Sequence, residues 1–318
     1  MICVAKEEVN LDTELRVCFV PELPFSAHTI NQNANSHPLF YRCFVDGETE
    51  ILPNLSEAFL SWIQGEEGYT DVDPLELSTN IWYHVLSILS SPEYNNSDWI
   101  DLPAGIDLRV PIPMSFAQLE ESASLGRQIA SLQRLDVGNV GHDQEIENQI
   151  GAWLDQIRVE PYSISGEMSS AAIIAAGVTL DASHGTSGRV RSRPYRFIGE
   201  QAEIDEELLG PLSDLLDLTP DVISEILGPL SSIQLSLDVG LRNVPFNILD
   251  MNIGNHVVLA QWLAWRCESN VPNQPIEYLW RDMRRLLINM LHMRLLQPHL
   301  DQNFHTCSNN CLDWNQEE

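Results

Sequence analysis

Apolar residues follow two different spacings along this chain, and the change from one to the other is what most limits its fold. Near the N-terminus short runs of β-forming residues alternate with turn residues. Leu15 to Val20 precedes Pro21 and Pro24, and Leu39 to Val45 precedes the Asp46-Gly47 turn and Ile51-Leu52. Beyond Ser56 the spacing turns helical. Ser56 can cap a helix carrying Phe59, Leu60 and Ile63, and a second helix is predicted over 75–90, with Ile81, Val85, Ile88 and Leu89 on one face and Pro92 marking its end. Pro111 and Pro113 impose an extended path, after which Ser115 caps a helix striped by Phe116, Leu119, Leu125, Ile129 and Leu132. The last third reads as helix over 257–267 and 276–296. The pattern predicts a mixed α+β fold, with a small N-terminal sheet and helices followed by a predominantly helical C-terminal half.

The Gly- and Asp-rich run from Asp136 to Asp143 is the best boundary in the chain. We therefore expect an N-terminal α+β part over 1–136, a part over 137–300 that joins an arginine-containing β segment to helices, and a polar tail over 301–318, with fraying from Gln297 onward. The stretch around Trp153 to Ile157 reads as polar, and the small, β-branched run 170–180 suits a strand or a close-packed helix equally. At 318 residues with 44% hydrophobic side chains, the chain can bury a real core without disulfides. Its six cysteines are too sparse for a disulfide scaffold, so reduced thiols in a cytoplasm are expected. No run reaches the roughly 18 apolar residues needed to span a bilayer, and no membrane partner is expected.

Charge sets the strongest condition on partners. The 17 basic residues face 46 acidic ones, for a formal net charge of -29, and Lys6 is the only lysine. Such a surface repels polyanions, because non-specific nucleic-acid affinity comes from neutralising phosphates. DNA binding then requires a salt-rich cytoplasm that screens the repulsion, or basic residues gathered on one face.

The common catalytic signatures are missing: no Gly-rich loop ending in Gly-Lys-Ser/Thr, no Gly-x-Ser-x-Gly, no His-Glu-x-x-His, no dinucleotide fingerprint. The Asn/Asp-Pro-Pro-Tyr run that holds a flipped adenine is missing too, so methyl transfer by the chain alone has no support, and no catalytic residue or cofactor is assigned. His299, His305, Cys307 and Cys311 offer zinc-ligand types, but their spacing is only loosely finger-like and a polar tail is the favoured reading. The Ser/Asn-rich segment with His28 and His37 reads as a capped loop more readily than as a ligand site. Two basic concentrations stand out. Arg189, Arg191, Arg193 and Arg196, interleaved with Tyr195 and Phe197, suit phosphates and guanine edges, although pairing with nearby carboxylates fits them at least as well. Arg281, Arg284 and Arg285 share a helix face that reads as solvated.

Several segments in order resemble one family. They are Pro24-Phe-Ser-Ala27 with Pro38-Leu-Phe-Tyr41, then Trp82-Tyr-His-Val-Leu-Ser-Ile-Leu-Ser-Ser-Pro-Glu-Tyr94, Val110-Pro-Ile-Pro113 and Leu125-Gly-Arg-Gln-Ile-Ala130. Gly188-Arg-Val-Arg-Ser-Arg-Pro-Tyr195 follows, then Arg242-Asn-Val-Pro245 and Ile253-Gly-Asn-His-Val-Val-Leu-Ala-Gln-Trp-Leu263. This series, spanning about residues 20 to 300, resembles the C-terminal specificity region of type ISP restriction-modification enzymes. The resemblance implies a non-catalytic reader of double-stranded DNA. A separate adenine methyltransferase or helicase-nuclease subunit would supply catalysis, and the chain would be a separate subunit, a truncated product or a repurposed relative. It implies DNA contacts at Arg189, Arg191, Arg193 and Arg196, with Arg242 and Asn243 as further contacts, since Arg and Asn read guanine and adenine bidentately. The rival expectation, from charge, is an acidic interaction protein or DNA-mimicking decoy that occupies a basic channel.

Overall fold

The computed structural model describes residues 2–9, 12–19, 34–37, 40–45, 48–97, 99–101, 107–133, 144–164, 196–235, 239–253, 256–267 and 276–313. In chain order the first elements are β1 (Ile2–Val9), β2 (Asp12–Phe19), β3 (Ala34–His37), β4 (Phe40–Val45), β5 (Glu48–Pro53), α1 (Glu57–Gly65), α2 (Pro74–Leu89) and α3 (Pro92–Asn95). The pair β6 (Ile100–Asp101) and β7 (Asp107–Leu108) leads to α4 (Phe116–Leu132). There follow α5 (Gln144–Gln156), β8 (Glu160–Ser163), β9 (Arg196–Ala202), α6 (Glu206–Leu216), α7 (Pro220–Leu227), β10 (Leu230–Gln234), β11 (Val239–Pro245) and α8 (Phe246–Leu249). The last are the pair β12 (Asn252–Ile253) and β13 (His256–Val257), then α9 (Val258–Cys267), α10 (Ile276–Leu295) and α11 (Gln297–Asn309). The fold is α+β, as the pattern predicts.

Two compact units divide the chain between Gly141 and His142 and again between Leu295 and Leu296, so that residues from both ends build the first unit. In that unit β1 pairs antiparallel with β2 and β3, and β4 pairs with β5 as a separate hairpin. Strand β1 is not announced by the sequence pattern. The helices begin where caps dictate: Asp73 accepts from the amides of Leu75 and Glu76, both at 3.0 Å, with Pro74 in the first turn, and Ser115 accepts from Gln118. α2 packs along α4, and the closest approach is at Gly126. A Cβ there would sit 1.8 Å from the carbonyl oxygen of Tyr83, so only glycine fits. Beside it Arg127 bonds Asn80 and lies 5.3 Å from the centre of the Tyr83 ring. Ile63, Tyr69, Leu77, Ile81 and Leu119 form one buried cluster, and the Tyr69 hydroxyl donates to the Pro113 carbonyl at 2.6 Å.

A buried polar knot ties this unit together. His84 is fully buried, with Nε2 2.8 Å from the Pro111 carbonyl and Nδ1 2.6 Å from Ser122 Oγ. A carbonyl only accepts, so Nε2 carries the proton and Nδ1 accepts from Ser122. Ser122 in turn accepts from Asn303 Nδ2 on α11 at 2.8 Å, and Ser87 donates to the His84 carbonyl. The knot thus joins α2, the Pro111 segment, α4 and the C-terminal helix.

That helix corrects an expectation. The stretch read as a polar, fraying tail is α11 through Asn309, and Leu300, Phe304 and Cys307 are buried along it. Their i, i+4, i+7 spacing makes a narrow apolar stripe that surrounding polar residues hide from any average. Phe304 meets Tyr94 edge-on at 5.5 Å, and Leu312 donates to the Ile112 carbonyl at 2.8 Å.

The second unit holds a four-stranded antiparallel sheet in the order β8-β11-β10-β9. Helix α5 occupies the stretch read as polar around Trp153. Ile150, Trp153 and Leu154 are buried, and the Trp153 indole donates to the Leu208 carbonyl at 2.8 Å. Gly151 leaves room for Arg284, whose Nη2 reaches the Gly151 carbonyl at 2.8 Å and Asp155 at 2.9 Å. Arg284 therefore pins α10 to α5 rather than standing on a solvated face, while Arg281 is exposed as expected. Asp205 and Thr219 cap α6 and α7, and Asp217 closes α6 in the left-handed region at φ 52°.

Two outcomes follow from the first unit. Gly126→Ala forces backbone apart where no rotamer can give, and it is expected to cost about 3 kcal/mol in urea unfolding. Burial pushes the His84 pKa from 6.5 to about 4, against the upward pull of the Pro111 carbonyl. The unfolded chain takes up this proton below 6.5 and the folded chain only below about 4. The stability of neutral burial is thus complete above 6.5 and declines as pH falls towards 4, by about 3 kcal/mol in all. Urea midpoints across this range should fall more steeply for the native chain than for His84→Gln, and parallel slopes would refute the assignment.

Candidate nucleic-acid interface

The sheet of the second unit has two unlike faces. Pro161, Leu241 and Ile233 stand in register and are buried on one side, with Phe197 continuing that row at the edge, 5.3 Å from Phe246. One residue along, the row Tyr162, Gly240, Gln234 and Arg196 runs across β8, β11, β10 and β9 on the opposite face. Tyr162 and Gln234 are partly exposed there, and Arg196 is exposed. Alternation along β8 and β10, each of which buries every second residue, marks this division.

Gly240 decides the character of that outer face. A Cβ at this position would lie 2.7 Å from Tyr162 Cε1 and 2.9 Å from Cζ, so the ring occupies the space a side chain would take. The Arg242 guanidinium lies 6.0 Å from the ring centre and forms an ion pair with Glu160. Burial raises the Tyr162 hydroxyl pKa above the ordinary tyrosine value, while a hydrogen bond with Ser232 and the charge of Arg242 pull it back. The ring therefore reaches from β8 over β11. The outer strand β9 carries an irregularity opposite Leu230 and Ser232, with Gly199 at φ 75°, which disrupts a flat edge open to pairing.

Of the six residues proposed for DNA contact, Arg189, Arg191 and Arg193 lie outside the described residues. Arg196 opens β9 and is exposed. Arg242 stands on the same sheet face but already holds Glu160. Asn243 works inside the fold. It takes φ 59°, and its Nδ2 donates to the carbonyls of Ile157 at 2.8 Å and Arg158 at 3.3 Å. Arg158 itself is left-handed at φ 57° and exposed, so the Asn243 amide fastens a tight reversal ahead of β8. The structure thus brings Arg196, Arg242 and Tyr162 to one sheet. Tyr162 is not among the residues that the sequence pattern singles out, and its only signal is an aromatic two residues after an acidic partner for arginine.

Other chemical groupings resolve as structure. The His84–Ser122 pair has the reach of a base and a nucleophile, but both side chains are fully buried and the imidazole proton is committed to Pro111. His305 pairs with Glu93, and the Cys307 thiol, pushed by burial up to about 11, donates to Asn303 Oδ1. Among the described residues no group of three or more His, Cys, Asp or Glu is placed to hold a metal ion. An open groove between α5 and α6 is rimmed by Glu145 and Asp214, which disfavour an anionic ligand. His28 lies outside the described residues, and His37 ends β3 opposite Ile2.

No protein-family model matches the chain, and neither a curated protein nor a solved structure is significantly similar to it. Among the described residues no helix is long and apolar enough to cross a membrane.

Substitution at Asn243 separates its backbone role from its hydrogen bonds. Asn243→Gly keeps the backbone and loses the amide bonds, for an expected cost of about 1 kcal/mol. Asn243→Ala adds left-handed strain, for about 2 kcal/mol. Equal melting of both variants and the native chain in calorimetry would contradict this role.

Proposed function

We propose that the chain is a non-catalytic DNA target-recognition module of the type ISP kind, acting in the cytoplasm with a separate adenine methyltransferase or helicase-nuclease subunit. The observation that carries this reading is the exposed Arg196 on edge strand β9, at the end of the arginine run Arg189 to Arg196. An exposed strand with guanidinium groups is a device that enters a major groove, where the planar fork meets guanine. The ordered segments add support, because three of them are packed together: α2 holds Val110 to Pro113 through His84 and meets Leu125 to Ala130 through Gly126. Base contacts would come from this chain, and much of the phosphate affinity from the catalytic partner, which the net charge of -29 makes necessary at ordinary salt.

A second reading has an observation of its own. Residues 197–241 contain no lysine or arginine, and Glu200, Glu203, Asp205, Glu206, Glu207 and Asp214 are all exposed within that span. Such a surface suits a basic protein partner, as an acidic decoy for a DNA channel would.

Selection from a randomised duplex library at low and at molar salt separates the two. The reader is expected to enrich a defined short site, and the double variant Arg191→Ala, Arg193→Ala to lose that preference. Unchanged enrichment by the variant removes the arginine assignment. Absence of any enrichment, together with salt-sensitive capture of a basic protein, favours the decoy.

A further inference from the structure

Resting on the DNA reading above, we propose that the outer face of the four-stranded sheet is a platform for one unpaired base of a DNA strand, which stacks on Tyr162 between Arg242 and Arg196. Three features of the face support it. The Tyr162 ring is held against Gly240 and flanked by Arg242, so little side-chain freedom is left to lose when a base settles on it. Every base has an apolar π-face, and aromatic rings on a sheet are the usual means of holding bases that have left a duplex.

The second feature is register. Tyr162 and Arg196 occupy the two ends of one row across four strands, with Gly240 and Gln234 between them. At about 4.8 Å per strand the two side chains root about 14 Å apart, a span of roughly two nucleotides of an extended strand. Gln234, in the middle of the row, offers both donor and acceptor to a base edge. The third feature is charge. Within the row itself Arg196 is the one charged residue and it is exposed, while Arg242, two residues along β11 from Gly240, is paired with Glu160. A phosphate beside Arg242 competes with Glu160 for the guanidinium, which makes binding depend on ionic strength.

The experiment uses the intact chain and two labelled duplexes with the same flanks, one fully paired and one with a single unpaired 5-iodouracil at its centre. Fluorescence anisotropy is expected to show roughly tenfold tighter binding of the second duplex, the scale of one base stacking on an aromatic ring. Tyr162→Phe should keep that difference and Tyr162→Leu should abolish it, with unchanged circular dichroism. Photocrosslinking of the iodouracil to the native chain should map to Tyr162, which tests the contact without any substitution. Equal binding of both duplexes, or crosslinks that avoid Tyr162, overturns the platform and leaves sequence-dependent duplex binding standing. Preference for the unpaired base with no sequence enrichment keeps the platform and removes the reader. Retention of neither duplex at any salt removes both.

Discussion

At Gly126 the backbones of α2 and α4 come so close that no side chain fits between them, and the first unit depends on that contact. It sets the helix separation at which Ser122 reaches His84, and His84 in turn holds the Pro111 carbonyl. A wider spacing would leave the buried Nδ1 of His84 without its donor, at a cost of about 1–3 kcal/mol. Close packing and polar satisfaction therefore act together, because the apolar contact makes the hydrogen bonds possible and the hydrogen bonds select one register of the two helices.

Much of the fold was legible where periodicity and caps agree. Ser56 and Ser115 announced α1 and α4, and the apolar spacing of Ile81, Val85, Ile88 and Leu89 announced α2. What escaped had weak local signals. Helix α11 shows three buried residues among polar ones, and α5 carries charge through its first turns, so both look like surface chain until a partner surface exists. The site was legible in part. Arginine marked the sheet at Arg196 and Arg242, but no local pattern could say that Arg242 meets Glu160, a partner 82 residues away, or that Gly240 clears space for a ring from another strand. Asn243 read as a base contact because its amide can pair with adenine, and it turned out to serve two backbone carbonyls instead.

The acidic surplus is distributed by structure as well as by composition. Carboxylates cap α2 and α6, close the ion pair of β8 with β11 and hold Arg284 against α5. Other exposed ones run from Glu200 to Asp214, within a span over 197–241 that holds no lysine or arginine. Arginine, in contrast, is used sparingly, and its planar fork lets one side chain bridge a carbonyl and a carboxylate at once, as Arg284 does.

The first unit draws on both ends of the chain, and this has a consequence for synthesis. Asn303 reaches Ser122 across 181 residues, and Asp301 reaches Ser91 across 210. While the ribosome is still making residues 142–295, the N-terminal segment has emerged without α11 and holds its apolar helix faces open. The middle of the chain is contiguous and can complete first, so the molecule that begins at its N-terminus finishes there last, and its growing intermediate is the species most in need of a chaperone.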